Sequence, residues 1–178
     1  MIKFLLKFLA FTFFFISTSF GEIIKEIKIT GNKRISNETI LVLGDISVGK
    51  NFDKVTLNES LKNLYKTDFF KNINIDLSNG ILNLEIVENP IIENIEIKGV
   101  KSKTLKKNLS ESIVLKNRMS FTENQLKKDI NLITNILKIN GFYFAKIRSS
   151  FTKNDDLNSI RINIDIDQGK KAKIEEIV

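Results

Sequence analysis

The stretch Ile81-Leu-Asn-Leu-Glu-Ile-Val-Glu-Asn-Pro-Ile-Ile-Glu-Asn-Ile-Glu-Ile-Lys-Gly99 decides how the chain divides. Leu82, Leu84 and Ile86 recur at every second position, the period of a strand with one buried face. Asn89-Pro90 then stops the run, because proline brings no N–H to a ladder and pushes the residue before it out of helical geometry. Ile95 and Ile97 resume the alternation before Gly99. One strand ends and another begins across a proline joint with almost no linker.

The second of these strands has copies. Ile24-Lys-Glu-Ile27-Lys-Ile29-Thr-Gly31 matches Ile92-Glu-Asn-Ile95-Glu-Ile97-Lys-Gly99 at a spacing of 68, and Ile174-Glu-Glu-Ile177 matches again 82 residues later. The opening stretch is therefore a boundary between repeats. The third copy stops at Val178 before its glycine, so the sequence reads as the front of something longer.

Composition bounds the chemistry. With 42% hydrophobic and 28% charged residues, the 178-residue chain falls in the globular class. It has no Cys and no His, which removes disulfides, thiolate chemistry and the commonest general base and metal ligand. The net charge is +7, of which Lys3 and Lys7 supply two, leaving +5 on the rest. That excess is spread along the chain rather than blocked, as on solvated lysine faces, and no nucleic-acid partner is expected.

Residues 1–21 are different in kind. Lys3 gives a positive start, Phe4 to Ile16 is apolar apart from Lys7 and Thr12, and Ser17-Thr-Ser19-Phe-Gly21 follows. Ser19 and Gly21 suit a peptidase that reads small side chains, so cleavage is expected between Gly21 and Glu22. A membrane anchor would need roughly 20 apolar residues, and this run is shorter. A cleaved leader implies an exported mature chain.

Two units follow in one order: strand, helix, helix, strand, strand. In the first, Ile23–Thr30 is a strand, Ser36 an N-cap before Ile40, Leu41 and Leu43, and Gly44 the helix stop. Asp53 caps a second helix with Leu57, Leu61 and Leu64 on one face, and Ser78-Asn79-Gly80 turns a closing hairpin. In the second, Ser102 caps a helix carrying Leu105 and Leu109, and Thr122 with Gln125 forms a capping box. Leu126, Ile130, Ile133 and Leu137 line the next helix, about one turn longer than its counterpart, and Asn140-Gly141 closes it. Phe142 to Phe151 and Ile160 to Ile166 make the last hairpin, joined by the polar loop Lys153–Asn158.

Three features invite a sharper function. Gly44-Asp-Ile-Ser-Val-Gly49-Lys50 opens like a phosphate-binding loop, but Asn51 stands where Ser or Thr must reach the magnesium. Asp165 with Asp167, and Asp155-Asp156, lack the further ligands a calcium or catalytic site needs, so no metal and no cofactor is expected. The clusters Tyr65/Phe69/Phe70 and Phe142/Tyr143/Phe144 fall where a helix turns back onto its sheet, which predicts core packing.

The repeated order behind a leader resembles POTRA modules, the polypeptide-transport-associated repeats of outer-membrane assembly proteins. The resemblance rests on Ile24–Gly31 and Ile92–Gly99, on Leu64-Tyr-Lys-Thr-Asp-Phe-Phe-Lys-Asn-Ile73 and Asn140-Gly-Phe-Tyr-Phe-Ala-Lys-Ile147, and on Leu84-Glu-Ile-Val-Glu-Asn-Pro90. Val87-Glu88-Asn89-Pro90 at that joint is similar to the first junction of BamA-type factors. Asp68 departs from the glycine such modules often carry there. The implied fold class is α+β: tandem β-α-α-β-β modules, each a three-stranded mixed sheet with two helices on one face. Residues 22–90 would be the first module, 91–171 the second and 172–178 the start of a third.

The resemblance implies a function without catalysis or cofactor. Such modules project into the periplasm, receive unfolded β-barrel precursors and dock assembly lipoproteins, while a membrane barrel that this sequence does not hold performs insertion. POTRA regions of two-partner secretion or translocation-and-assembly transporters, or of a division protein with a single anchor, remain alternatives; a secreted enzyme lacks its catalytic side chains. In each module the strand after the second helix would be a sheet edge open to a client. In the first these residues are Lys71, Asn72, Ile73, Asn74, Ile75, Asp76 and Leu77. In the second, Lys146, Arg148 and Ser150, after Phe144, would face water, while Ala145, Ile147, Ser149 and Phe151 would face the core. Asn89 and Pro90 would set the range of angles between modules.

Overall fold

The computed structural model describes residues 21–172; residues 1–20 of the expected leader, and the third repeat's Ile174–Ile177, lie outside them. The first repeat runs β1 (Glu22–Ile23), β2 (Glu26–Thr30), α1 (Asn37–Gly44), β3 (Asn51–Phe52), α2 (Lys54–Tyr65), β4 (Phe70–Ser78) and β5 (Ile81–Glu88). The second runs β6 (Ile91–Lys98), α3 (Lys103–Ser112), α4 (Glu123–Ile139), β7 (Lys146–Asn154) and β8 (Ser159–Asp167). By contacts the chain forms two units, one holding residues up to Lys66 with Ile73–Ile86, the other Thr67–Asn72 with Val87 onward.

Each repeat builds a three-stranded sheet with its last strand in the middle, in the orders β2-β5-β4 and β6-β8-β7. The β2–β5 and β6–β8 pairs are parallel, and β7–β8 is antiparallel. The central strands carry the core ladders: Leu82, Leu84 and Ile86 in one, Ile160, Ile162, Ile164 and Ile166 in the other, all buried. In the second repeat that ladder packs with Leu105 and Leu109 of α3 and Leu126, Ile133 and Leu137 of α4, so both helices cover one face. Each such side chain withdrawn from water contributes about 2 kcal/mol.

The close of the repeated motif has a steric reason. Gly31 and Gly99 have φ of 84° and 81°, and the side-chain carbon of any other residue would sit 2.1 Å from the Ile86 carbonyl oxygen and 1.9 Å from that of Ile166. Only glycine lets the first strand leave its sheet so close to the central one.

Several local expectations need correction. The strand Ile23–Thr30 is broken at Ile24-Lys25: Ile24 bonds to Lys50 and Gly49, while Lys25 and Glu26 donate to Gly80. β1 can then pair antiparallel with β3, in a small sheet of its own. Gly44 belongs to α1, where a side chain would press on that of Ile46, and the left-handed cap is Asp45 (φ 52°) instead. Lys50 spends its ammonium on Asp45 at 2.5 Å, and a strand, not a helix, follows it.

All four expected N-caps bond as required: Ser36 to Thr39, Asp53 to Thr56, Ser102 to Leu105 and Thr122 to Gln125. The Thr56 amide and hydroxyl hold the Asp53 carboxyl below its ordinary range. The capping box at Thr122 is only half made, since the Gln125 side chain turns forward to Asp129 at 2.9 Å. α4 exceeds α2 by five residues, 17 against 12, and ends with Gly141 (φ 89°) beyond its cap, where Phe142 N–H donates to Leu137 O.

Asp129 lies on the apolar face of α4, only 2% exposed. Its carboxylate accepts from Val114 N–H (3.0 Å), Leu115 N–H (2.8 Å) and Gln125, and so satisfies the turn that follows α3. At the sheet, register slips between Ile92 and Asn94, which leaves Glu93 as the extra residue of a bulge. Glu93 accepts from the Ser159 hydroxyl and from Arg161 Nε at 2.7 Å, both on β8. Those two bonds, the Ser159 one foremost, lower its pKa from the ordinary 4.5.

Two predictions follow from these carboxylates. Asp129→Ala leaves two backbone N–H groups unpaired and should cost about 2–4 kcal/mol in urea unfolding, with Asp129→Asn losing less. Glu93 is held low in the folded chain, so its stabilisation is present at neutral pH. It is lost as pH falls through the folded value, below the ordinary carboxylate range. Unfolding of wild type and Glu93→Gln should therefore differ at neutral pH and converge in acid; a gap unchanged in acid would contradict the assignment.

Candidate strand-binding edges

The outer strands of the two sheets are not equally free. On the β2 side, Ile24 exchanges backbone bonds with Lys50 and Gly49. On the β6 side, Ile92 does so with Met119 and Arg118, and Ile91 bridges Ser120. These bonds cover the beginning of that side, at Ile24 and at Ile91–Ile92, and β4 and β7 are the outer strands on the opposite side. A strand bonded on one side only presents a row of N–H and C=O groups that another strand can use.

Strand β7 is regular. It pairs with β8 without a break from Lys146↔Asp167 to Asn154↔Ser159, which confines the connecting loop to residues 155–158, shorter than expected. Lys146 stands opposite Asp167 and Arg148 opposite Asp165 on the outer face. That arrangement accounts for the paired aspartates as cross-strand partners of cations. Among the described residues no three acidic side chains gather as metal ligands. On the other face Ile147 packs against the core, and the Phe151 ring lies 5.4 Å from that of Phe121. Beside it a cleft of about 550 Å³ opens between α4 and β7, lined by Leu126, Lys127, Ile130, Ser149 and Phe151 among others.

The strand starts later than expected. Phe144 and Ala145 precede β7, because past Gly141 the backbone of residues 142–145 folds as a turn, with Ala145 N–H donating to Phe142 O. The aromatic cluster there is corrected too. Phe142 packs on the core, but the turn sends Tyr143 and Phe144 outward, 58% and 81% exposed. In the first repeat Phe70 is buried, with Phe69 edge-on to it.

Strand β4 takes in Lys71 to Leu77 but is less regular. Phe70 and Ile73 are both buried although three positions apart, so the alternation slips by one between them. The Ile73 N–H donates to the Tyr65 hydroxyl at 3.0 Å. At the joint, buried Asn89 donates its amide N–H to Phe69 O (2.8 Å) and its side chain to Asp68 O (2.9 Å). Asp68 itself holds φ 58°, the left-handed geometry for which Gly141 serves in the second repeat. Sequence reading missed Asp129, Glu93 and the Tyr65 contact; a lone charge among the apolar positions of α4 was the visible signal for the first.

Residues 22–89 and 90–169 each match the POTRA family, described as surface antigen variable number repeat. The chain is similar to the outer membrane protein assembly factor BamA of Neorickettsia risticii, 38% identical over 88 residues, 49% of this chain and 12% of that one. It is also similar to BamA of Neisseria meningitidis serogroup B, 29% identical over 157 residues, 86% of this chain and 19% of that one. The chain thus spans less than a fifth of either relative. Among solved structures, the N-terminal domain of Omp85 from Thermosynechococcus elongatus superposes with a TM-score of 0.55 at 13% identity, covering 83% of this chain and 63% of that one. Two β-α-α-β-β repeats, each matched along its length, place this chain in the POTRA family.

Proposed function

We propose that this chain is the periplasmic POTRA region of a BamA-type outer-membrane assembly factor, taking unfolded barrel precursors by strand addition and docking assembly lipoproteins. The observation that carries this reading is β7, a nine-residue strand paired on one side only and flanked by a cleft that holds Leu126, Ile130 and Phe151 among polar residues. Main-chain bonds along such an edge give affinity for any extended segment, and the cleft favours one that is apolar at alternate positions. Outer-membrane strands alternate in that way and must be kept from aggregating in transit. The charges of Lys146 and Arg148 on the outer face discourage uncontrolled pairing of one copy with another. On this reading the chain acts by binding, with no chemistry of its own. The Asn89-Pro90 joint limits the angle between modules, and the exported chain begins at Glu22.

Peptides copied from barrel strands should shift amide NMR signals along Lys146–Asn154 weakly and with little dependence on their sequence. Ser149→Pro removes an edge N–H and should weaken that binding, provided its spectrum keeps the folded dispersion. Shifts confined to the helices, or none with peptide at millimolar concentration, would overturn strand addition and leave the modules as docking spacers.

A further inference from the structure

The two edges differ in one hydroxyl and in the regularity of the strand. Tyr65 ends α2, and its oxygen takes the Ile73 N–H of β4. β4 has one strand neighbour, β5, so an amide given to the helix is one taken from the free side of the sheet. A strand adding to β4 would have to displace that hydroxyl, exchanging one hydrogen bond for another with no net gain at this position. The slip in alternation between Phe70 and Ile73 distorts the same part of the edge, and such irregularities are a known way of blunting one.

The second repeat lacks both devices. Tyr65 follows the fully buried Leu64; the residue that follows the fully buried Leu137 is Lys138, which cannot accept an N–H. Strand β7 keeps its register through nine successive pairs, and among the described residues no side chain takes one of its amides.

We propose that the Tyr65 hydroxyl closes β4 to strand addition, so that an extended client strand is taken by β7 with its apolar side chains in the α4–β7 cleft. The proposal rests on the strand-addition reading above. It makes the two repeats unequal, the first a guarded spacer and the second the receiving module.

Tyr65→Phe keeps the ring and removes the acceptor. Hydrogen exchange without any peptide should then speed up at Ile73 by about threefold to tenfold, while Ile75 stays unchanged. Titration with a short peptide of alternating Val and Thr should shift β7 signals in both proteins, and β4 signals only in Tyr65→Phe. Unchanged exchange at Ile73, or β4 shifts already present in wild type, would overturn the proposal. If β7 responds while β4 of the variant stays silent, strand addition stands and the role of Tyr65 falls. If exchange at Ile73 rises but the peptide moves neither edge, strand addition itself is overturned and the proposal with it.

Discussion

A central strand bonded on both sides is the constraint from which the rest of each repeat follows. β5 and β8 arrive last in the chain yet occupy the middle of their sheets, so the first strand must run parallel on one flank and the hairpin partner antiparallel on the other. Parallel strands cannot be joined by a tight turn, and the two helices supply the crossover. Their apolar residues cover one face of the sheet and leave the other to Lys, Arg, Asp and Asn. What remains after this packing, in the second repeat, is the outer strand β7, whose free-side amides meet no side chain among the described residues.

Polar groups placed inside or at the rim of the core hold this arrangement in register. Asp129 ties the turn after α3 to α4, and Glu93 ties a bulge in β6 to β8. Each acts where the backbone departs from regular structure and would otherwise leave donors unpaired or register free to slip. Glycine does the complementary work at Gly31 and Gly99, where the carbonyls of Ile86 and Ile166 leave no room for a side chain. The glycines recur in both repeats, whereas Asp129 and Glu93 belong to the second alone.

Much of the fold was legible because it is written in periodicities. Alternating Leu82, Leu84 and Ile86, the i, i+4, i+7 run Leu57, Leu61 and Leu64, and the four N-cap residues all act locally, so a short window reveals them. The missed features depend on partners far away in sequence. The break at Ile24 needs Lys50 and Gly80, and the turn of Gln125 needs buried Asp129. At the candidate site, edge position followed from strand order, but the start of β7 at Lys146 and the exposure of Phe144 depend on how the turn after Gly141 folds. Nothing in a pattern of side chains announces that one tyrosine hydroxyl will meet one strand amide.

The central claim is that the free backbone of β7 is the receiving surface. Its most direct test is an isotope-filtered NMR measurement of proton contacts between labelled protein and an unlabelled barrel-strand peptide. Cross-strand contacts from backbone protons at alternate residues of Lys146–Asn154 to successive peptide backbone protons are the predicted result. Contacts reaching the peptide only from side chains of α4, or only from the outer sheet face, would contradict it.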